Sequence, residues 1–449
     1  MTKEKNFTKG PILLPLIQFA LPILAALFLQ TMYGAVDLLV VGQFADAVDV
    51  SAVATGSMLM HSVTVVITGL SMGITILVGQ YIGQGKPEKA GKIIGSGIYL
   101  FLLMAIILTV VVAVFSSGLA GLLQAPEEAF ERTSMYIRIC ALGSLFIVAY
   151  NVLGSIFRGI GDSTMPLISV MIACVFNVVG DLFFVAVLHL GASGTAIATV
   201  LAQALSVLLS LCIIRKRSLP FTLSIRDIRF DGRKISRILQ MGIPIALQDL
   251  LVSISFLVIM GIVNGLGVIA SAGVGVAEKL CGFIMLAPSA YMQSLSAFIA
   301  QNVGAEKYER ADKTLLYGVS TSLIVGVIMF YAAFFHGDIL SGLFAKDAEI
   351  IAASAEYLKA YAIDTLLTSF LFCFMGYFNG YGLTLFVMLQ GIIGGICVRI
   401  PAAFLISRVD DSLFHIGLAT PCSSLVQIIL CIGYFMIVKK KRKTRGVLV

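Results

Sequence analysis

The sequence predicts an all-α polytopic membrane protein with twelve transmembrane helices in two pseudo-symmetric six-helix bundles. Three observations lead there. The chain is 59% hydrophobic and only 12% charged, against roughly 25% charge in soluble domains. Its mean hydropathy is +1.01, and apolar runs of about 20 residues, long enough to cross a bilayer, recur along it. The third is an internal repeat at one constant offset. Gly79-Gln80-Tyr81-Ile82-Gly83 returns as Ala300-Gln301-Asn302-Val303-Gly304, Tyr136-Ile137-Arg138 as Tyr357-Leu358-Lys359, and Phe157, Gly159 and Gly161 as Phe378, Gly380 and Gly382. With one residue of slip, Leu21-Pro22-Ile23 also meets Ile243-Pro244-Ile245. Backbone polar groups in hydrocarbon must pair within their own segment, so the spans are helices. Internal repeats mark many secondary transporters.

The first six helices are expected at about 14–42, 53–79, 94–116, 132–157, 165–188 and 194–214, and the second six at about 237–263, 272–300, 314–336, 351–378, 384–407 and 416–438. This gives an N-terminal bundle over 1–214, a basic cytoplasmic linker over 215–236 containing Pro220, and a C-terminal bundle with a basic tail over 237–449. An even number of helices per copy makes the copies parallel, related by an axis along the membrane normal with a cavity between them.

Most of the 31 basic residues fall in the expected loops of one side: Lys3, Lys5 and Lys9 before the first helix, Lys86, Lys89 and Lys92, Arg158, the linker, Lys307, Arg310 and Lys313, and the tail from Lys439 to Arg445. The positive-inside rule then puts both termini in the cytoplasm of a cell (inner) membrane protein. The net charge of +7 is accounted for by topology and contact with anionic lipid, not by nucleic acid. The N-terminal run is too long for a cleaved signal and continues the repeat. The eight cysteines lie scattered in apolar runs without a CxxC pair, and read as small packing residues.

Residues shared by the copies build scaffold, so polar residues in one copy only are the functional candidates. A charge at membrane depth costs about 2.5–3.5 kcal/mol on insertion scales and needs a reason. Asp37 in the first helix faces an apolar mate, Val258 or Ile259, in the second copy. Asn177 and Asp181 lie one turn apart on one face of the fifth helix, with mates Val398 and Ala402. Thr199 supplies a hydroxyl in the sixth, and its mate Thr420 is also a threonine. Converging, these groups offer oxygen ligands to a hard cation such as Na⁺, or a pair of carboxylates that carries a proton; both readings stand. Glu278-Lys279 reads either as a substrate-facing acid or as an internal ion pair. Asp249 and Asp364 are further cavity candidates, and Asp249, near the start of the seventh helix, also reads as interfacial. Arg138 and Lys359 are repeat mates and read as snorkelling scaffold. Arg399 has no sequence-local partner, and His61 reads as packing. Pro22 removes a backbone bond from the first helix and makes it a hinge upstream of Asp37.

These residues resemble the multidrug and toxic compound extrusion (MATE) family over essentially the whole chain. The resemblance rests on Leu21-Pro22-Ile23 with Asp37 and Gly42, on Gly79-Gln80-Tyr81-Ile82-Gly83-Gln84-Gly85 and on Phe157-Arg158-Gly159-Ile160-Gly161-Asp162. Asn177-Val178-Val179-Gly180-Asp181 and the segment from Gly191 to Thr199 complete it. It is closest to the DinF-like branch, whose cation site falls on Asp37, Asn177, Asp181 and Thr199, with a nearby tyrosine at Tyr136. The resemblance places substrate-contacting groups at Gln30 and Asn151, beside Glu278 from the residue reading. It implies the MATE/MOP fold and export of amphipathic, often cationic drugs by alternating access, coupled to H⁺ or Na⁺. No cofactor beyond the coupling ion is expected, and the chain is expected to act as a monomer. The acids that the NorM-like branch adds in helices 7 and 10 fall near Val252 and Thr368 here. A lipid-linked oligosaccharide flippase of the same superfamily is the alternative, and it requires Arg138, Lys279 and Arg399 to gather in the cavity. A membrane enzyme is disfavoured by the absence of HExxH or GxSxG patterns, and a channel by the absence of a filter-like polar repeat in both halves.

Overall fold

The computed structural model describes residues 7–445, with side chains through Arg442. Lys3 and Lys5 lie outside the described residues, as do the side chains of Lys443 and Arg445. Among the described residues there is no strand. The spans are α1 (Leu13–Phe44), α2 (Ala47–Gly83), α3 (Pro87–Val114), α4 (Glu127–Leu142 with Ser144–Ile160), α5 (Thr164–Val187), α6 (Gly191–Arg215), α7 (Gly232–Asn264), α8 (Val268–Gly304), α9 (Tyr308–Phe335), α10 (Ala348–Tyr381), α11 (Thr384–Ser407) and α12 (Leu413–Arg442). Eleven are long and apolar enough to cross a membrane alone, and α4 makes a twelfth as a bent pair.

The bend in α4 departs from the continuous helix expected over 132–157. Its two pieces meet at 53°, at Gly143, where a β-carbon would come within 2.4 Å of Val200. The repeat mate of Gly143 is Asp364, and α10 runs through it unbroken. Arg158, expected in a loop, lies in the last turn of α4. Asp249 lies near the middle of α7 (Gly232–Asn264) and not at an interface near its start.

Two compact units divide the chain: Met1–Ala246 with Ala300–Lys307, and Leu247–Ile299 with Tyr308–Val449. In the first unit α2 is the most buried span, at 61% of its apolar window. Its inner face and α4 build a core of Val53, Ile74, Leu77, Val78, Ile147 and Ile156. Phe221, from the basic segment after α6, is buried in that same core, which ties the segment to this unit. In the second unit α10 plays the central part, with 67% of its window buried. It packs on α8, α9 and α12. The outer helices turn apolar side chains outward. Leu102, Leu103, Ile106, Ile107, Val110, Val111 and Val114 form an exposed stripe on α3, which in water would be an aggregation surface and in lipid is the solvated face.

Residues common to the two copies do build scaffold. Gly161 and its mate Gly382 both end a helix in the left-handed region, at φ +89° and +79°. In each case the next N–H reaches back to a phenylalanine carbonyl, Asp162 to Phe157 and Leu383 to Phe378, both at 2.9 Å. This left-handed helix cap needs a residue without a β-carbon. Gly83 and Gly304 are used differently. A β-carbon on Gly83 would lie 1.9 Å from the carbonyl oxygen of Gln301, and one on Gly304 would lie 2.0 Å from that of Gln80. The two repeat segments therefore seat on each other's main chain, within the first unit.

The basic tail corrects one expectation. Arg442 turns back onto the second unit, its Nη2 3.0 Å from both oxygens of Asp312 and its Nη1 2.8 Å from the Tyr381 hydroxyl. Tyr377 donates to the same aspartate at 2.6 Å. This residue anchors α12 to α9 and α10, so it is an internal strut and not a lipid contact.

Candidate functional site

In the first unit α1, α5 and α6 pack together and bring the expected cation-site residues to one place. Asp37 is 6% exposed, Asn177 1% and Asp181 0%, with Thr199 half-buried beside them. Thr199 Oγ1 donates to Asp37 Oδ2 at 3.5 Å, and Asn177 Nδ2 donates to Thr199 Oγ1 at 3.4 Å. The carboxyl groups of Asp37 and Asp181 face each other. The spacing of Asn177 and Asp181 put them on one face of α5, and that face turns toward α1. Directly after Asp181 the helix widens into a π turn over Leu182–Val187. Such insertions re-aim side chains and recur at functional sites.

The chemistry of the cluster is lopsided. Among the described residues, Asp37 Oδ1, Asn177 Oδ1 and both Asp181 oxygens are buried and meet no donor. Burying acceptors without partners is costly, and two carboxylates in low dielectric repel each other. A positive charge or a shared proton relieves both problems. The oxygen donors fit a hard monovalent cation. No group of three or more His, Cys, Asp or Glu side chains that would hold a multivalent metal occurs among the described residues.

Tyr136 is buried, its ring packed on Gly56 of α2, where a β-carbon would lie 2.3 Å from the ring. Its hydroxyl lies beside Cys140, within electrostatic reach of both carboxylates. Gln30 and Gln203 of α6 stand near the Tyr33 hydroxyl without a hydrogen bond to it among the described residues. Tyr33 and Gln203 were missed from the sequence, yet each stands four residues from a site residue, Asp37 and Thr199, on the same helix face. Asn151 is set apart from the cluster. It accepts from Thr68 Oγ1 at 3.0 Å and donates to the Ile147 carbonyl at 2.8 Å, bracing α2 to α4. Pro22 lies within α1, which stays helical through it.

The other candidates separate. Glu278 is half-buried while Lys279 is exposed, and no ion pair joins them among the described residues, so the internal-pair reading is not met. Arg138 is exposed and donates to Ser116 Oγ at 3.4 Å, and Lys359 is also exposed. Arg399 is buried in a network of its own. The cysteines are all free. His61 is exposed on α2.

A twelve-span fold doubled in sequence, with a buried acidic cluster in one copy, defines a family of polytopic membrane transporters. The chain belongs to the MatE family, whose model matches residues 22–183 and again residues 244–405. It is similar to the "Probable multidrug resistance protein YoeA" of Bacillus subtilis (strain 168), with 25% identity over 438 residues, covering 95% of this chain and 94% of that protein. It is also 25% identical over 411 residues to the "Multidrug export protein MepA" of Staphylococcus aureus (strain bovine RF122 / ET3-1), covering 89% of this chain and 88% of the other. In fold it matches a crystal structure of a MATE transporter in the bent conformation, with a TM-score of 0.92 at 19% identity over 100% of both chains. An outward-facing multidrug resistance MATE family transporter of the MOP superfamily matches equally, with a TM-score of 0.92 and 19% identity over 99% of this chain and 100% of that one.

Proposed function

We propose that this protein is a cation-coupled antiporter that exports amphipathic, often cationic small molecules by alternating access, with the coupling site at Asp37, Asn177, Asp181 and Thr199. The observation that carries this reading is the buried cluster in the first unit where Asp37, Asn177 and Asp181 hold oxygen acceptors that meet no donor. Two carboxylates, an amide oxygen and a hydroxyl bind a hard cation such as Na⁺, and the same carboxylates exchange a proton. Multidrug export in the relatives supports the outward direction and the substrate class. Tyr136 bounds the site. Gln30, Asn151 and Glu278 are the proposed substrate contacts. Pro22 lets α1 bend as the charge on Asp37 is compensated. The excess of basic loops on one side supports cytoplasmic termini in the cell membrane, with the protein acting as a monomer among lipids.

The test is dye efflux in everted vesicles under imposed H⁺ or Na⁺ gradients, for wild type and Asp37→Asn. Gradient-driven movement of a cationic dye that falls at least tenfold in the variant, with expression unchanged, is expected, and the effective gradient names the ion. Undiminished efflux in Asp37→Asn removes the proposed site.

A further inference from the structure

The segment between α6 and α7 joins basic side chains to exposed apolar ones, and the first unit holds it in a fixed place. Phe221 is buried in the core of α2 and α4. The main chain that follows lies on the first turns of α3. A β-carbon on Gly91 would come within 2.0 Å of the Thr222 carbonyl oxygen, and one on Gly95 within 2.4 Å of that of Asp227. Between these seats Ser224 caps a short 3-10 turn over Ile225–Asp227, and its N–H donates to Asp227 Oδ2 at 3.0 Å. Phe230 then stands edge-on to Tyr99 of α3, with ring centroids 6.1 Å apart.

Held in this way, the segment leaves three large apolar side chains open: Leu223 is 41% exposed, Ile225 88% and Phe230 68%. Arg226, Arg229 and Arg233 are exposed beside them and form no ion pair among the described residues. The acids of the segment are taken, Asp227 by the cap and Asp231 by Lys234. Depth accounts for the combination. About 20 residues cross the hydrocarbon, and counting back from Val114, at the far end of the exposed stripe on α3, reaches Gly95, where Asp227 sits. The turn therefore lies at the boundary between acyl chains and headgroups. There aliphatic and aromatic groups enter the bilayer, and guanidinium forks pair with phosphate.

We propose that residues 222–230 form a strap that binds anionic phospholipid in the leaflet on the side of the basic loops. Leu223, Ile225 and Phe230 insert between the lipids, and Arg226 and Arg229 hold their phosphates. The occupant is lipid because the apolar groups continue the lipid-facing stripe of α3. It is anionic because the unpaired charges are all positive. Bound lipid then steadies the start of α3 through the two glycine seats.

The lipid contact is independent of the cation site, and its test reads no transport. The chain contains no tryptophan, so Ile225→Trp and Phe230→Trp each report one exposed position. Ile106→Trp, on the exposed stripe of α3, is the reference. Each variant is reconstituted in mixed vesicles in which either the phosphatidylcholine or the phosphatidylglycerol is brominated, at equal bromine content. Ile106→Trp is expected to be quenched alike by the two lipids. Ile225→Trp and Phe230→Trp are expected to be quenched about twofold or more strongly by the phosphatidylglycerol, and Arg226→Gln/Arg229→Gln to equalise the two lipids. Quenching at 225 and 230 by neither lipid places the strap in water, open to a soluble partner, and overturns the proposal. Equal quenching by both lipids with the arginines intact overturns it too, as does a preference that survives the loss of both arginines.

Discussion

Thr199 Oγ1 lies 3.5 Å from Asp37 Oδ2 and joins α6 to α1 through a single hydroxyl, which also takes the Asn177 amide at 3.4 Å. Thr199→Val removes that bridge at nearly constant volume and, on the proposed reading, one oxygen ligand. We expect the apparent cation affinity of dye efflux to weaken about fivefold to tenfold, in line with the loss of about 1–1.5 kcal/mol for one hydrogen bond. Thr199→Ser retains it. Cation titrations of efflux rate distinguish the variants, and equal affinity in Thr199→Val refutes a ligand role.

Gly83 and Gly304 each lie on a main-chain carbonyl of the other copy, and neither contact is able to yield by a rotamer change. Gly83→Ala or Gly304→Ala is expected to cost about 2–3 kcal/mol by overpacking. Thermal unfolding of the purified protein reads this as a lowered midpoint. Gly85, with open space around its α-carbon but φ +67°, serves as the comparison for backbone strain alone.

Arg442→Ala leaves Asp312 half-enclosed without its guanidinium. The side chains of this pair are 11% and 18% exposed, so the loss is expected at about 2 kcal/mol, between a surface pair and a fully buried one. Limited proteolysis detects the release of the end of α12. Arg442→Lys rescues this in part, because an ammonium lacks the planar fork that spans Asp312 and Tyr381.

A pH effect is expected at the turn between α1 and α2. The Asp49 N–H first, and the Arg132 guanidinium second, hold the Asp46 carboxyl below its ordinary value. A depressed folded value contributes stability above the unfolded value and loses it as pH falls through the folded one. Asp46→Ala is therefore expected to lower the unfolding midpoint at pH 7. The difference from wild type shrinks only below about pH 4, the ordinary carboxylate range. A difference that persists unchanged into stronger acid assigns the effect to something other than the charge.

The apolar runs and the repeat were enough to place all twelve spans, because hydrocarbon leaves the backbone no alternative to helix. The acidic cluster was also legible, since an acid opposite an apolar mate stands out in a doubled chain. What escaped depends on contacts distant in sequence. Gly143 sits at the break in α4, close against Val200, and nothing local distinguishes it from the many glycines that do not bend a helix. The setting of Arg399 is made by Ser255, far along the chain. Tyr33 and Gln203 were findable by helical spacing alone. Asp249 was misplaced in depth although the span expected over 237–263 already sets it near the middle of the helix.

The reciprocal seat of Gly83 and Gly304 bears on whether this molecule is divisible. The residues that close the first unit are supplied from beyond its own copy, at Ala300–Lys307. A half ending at residue 246 would leave the Gln80 carbonyl without the glycine seated on it. It would also lose the Gln301 side chain that donates to the Gly159 carbonyl at 3.2 Å. Duplication made two copies, but the finished protein does not come apart along the line where they were joined.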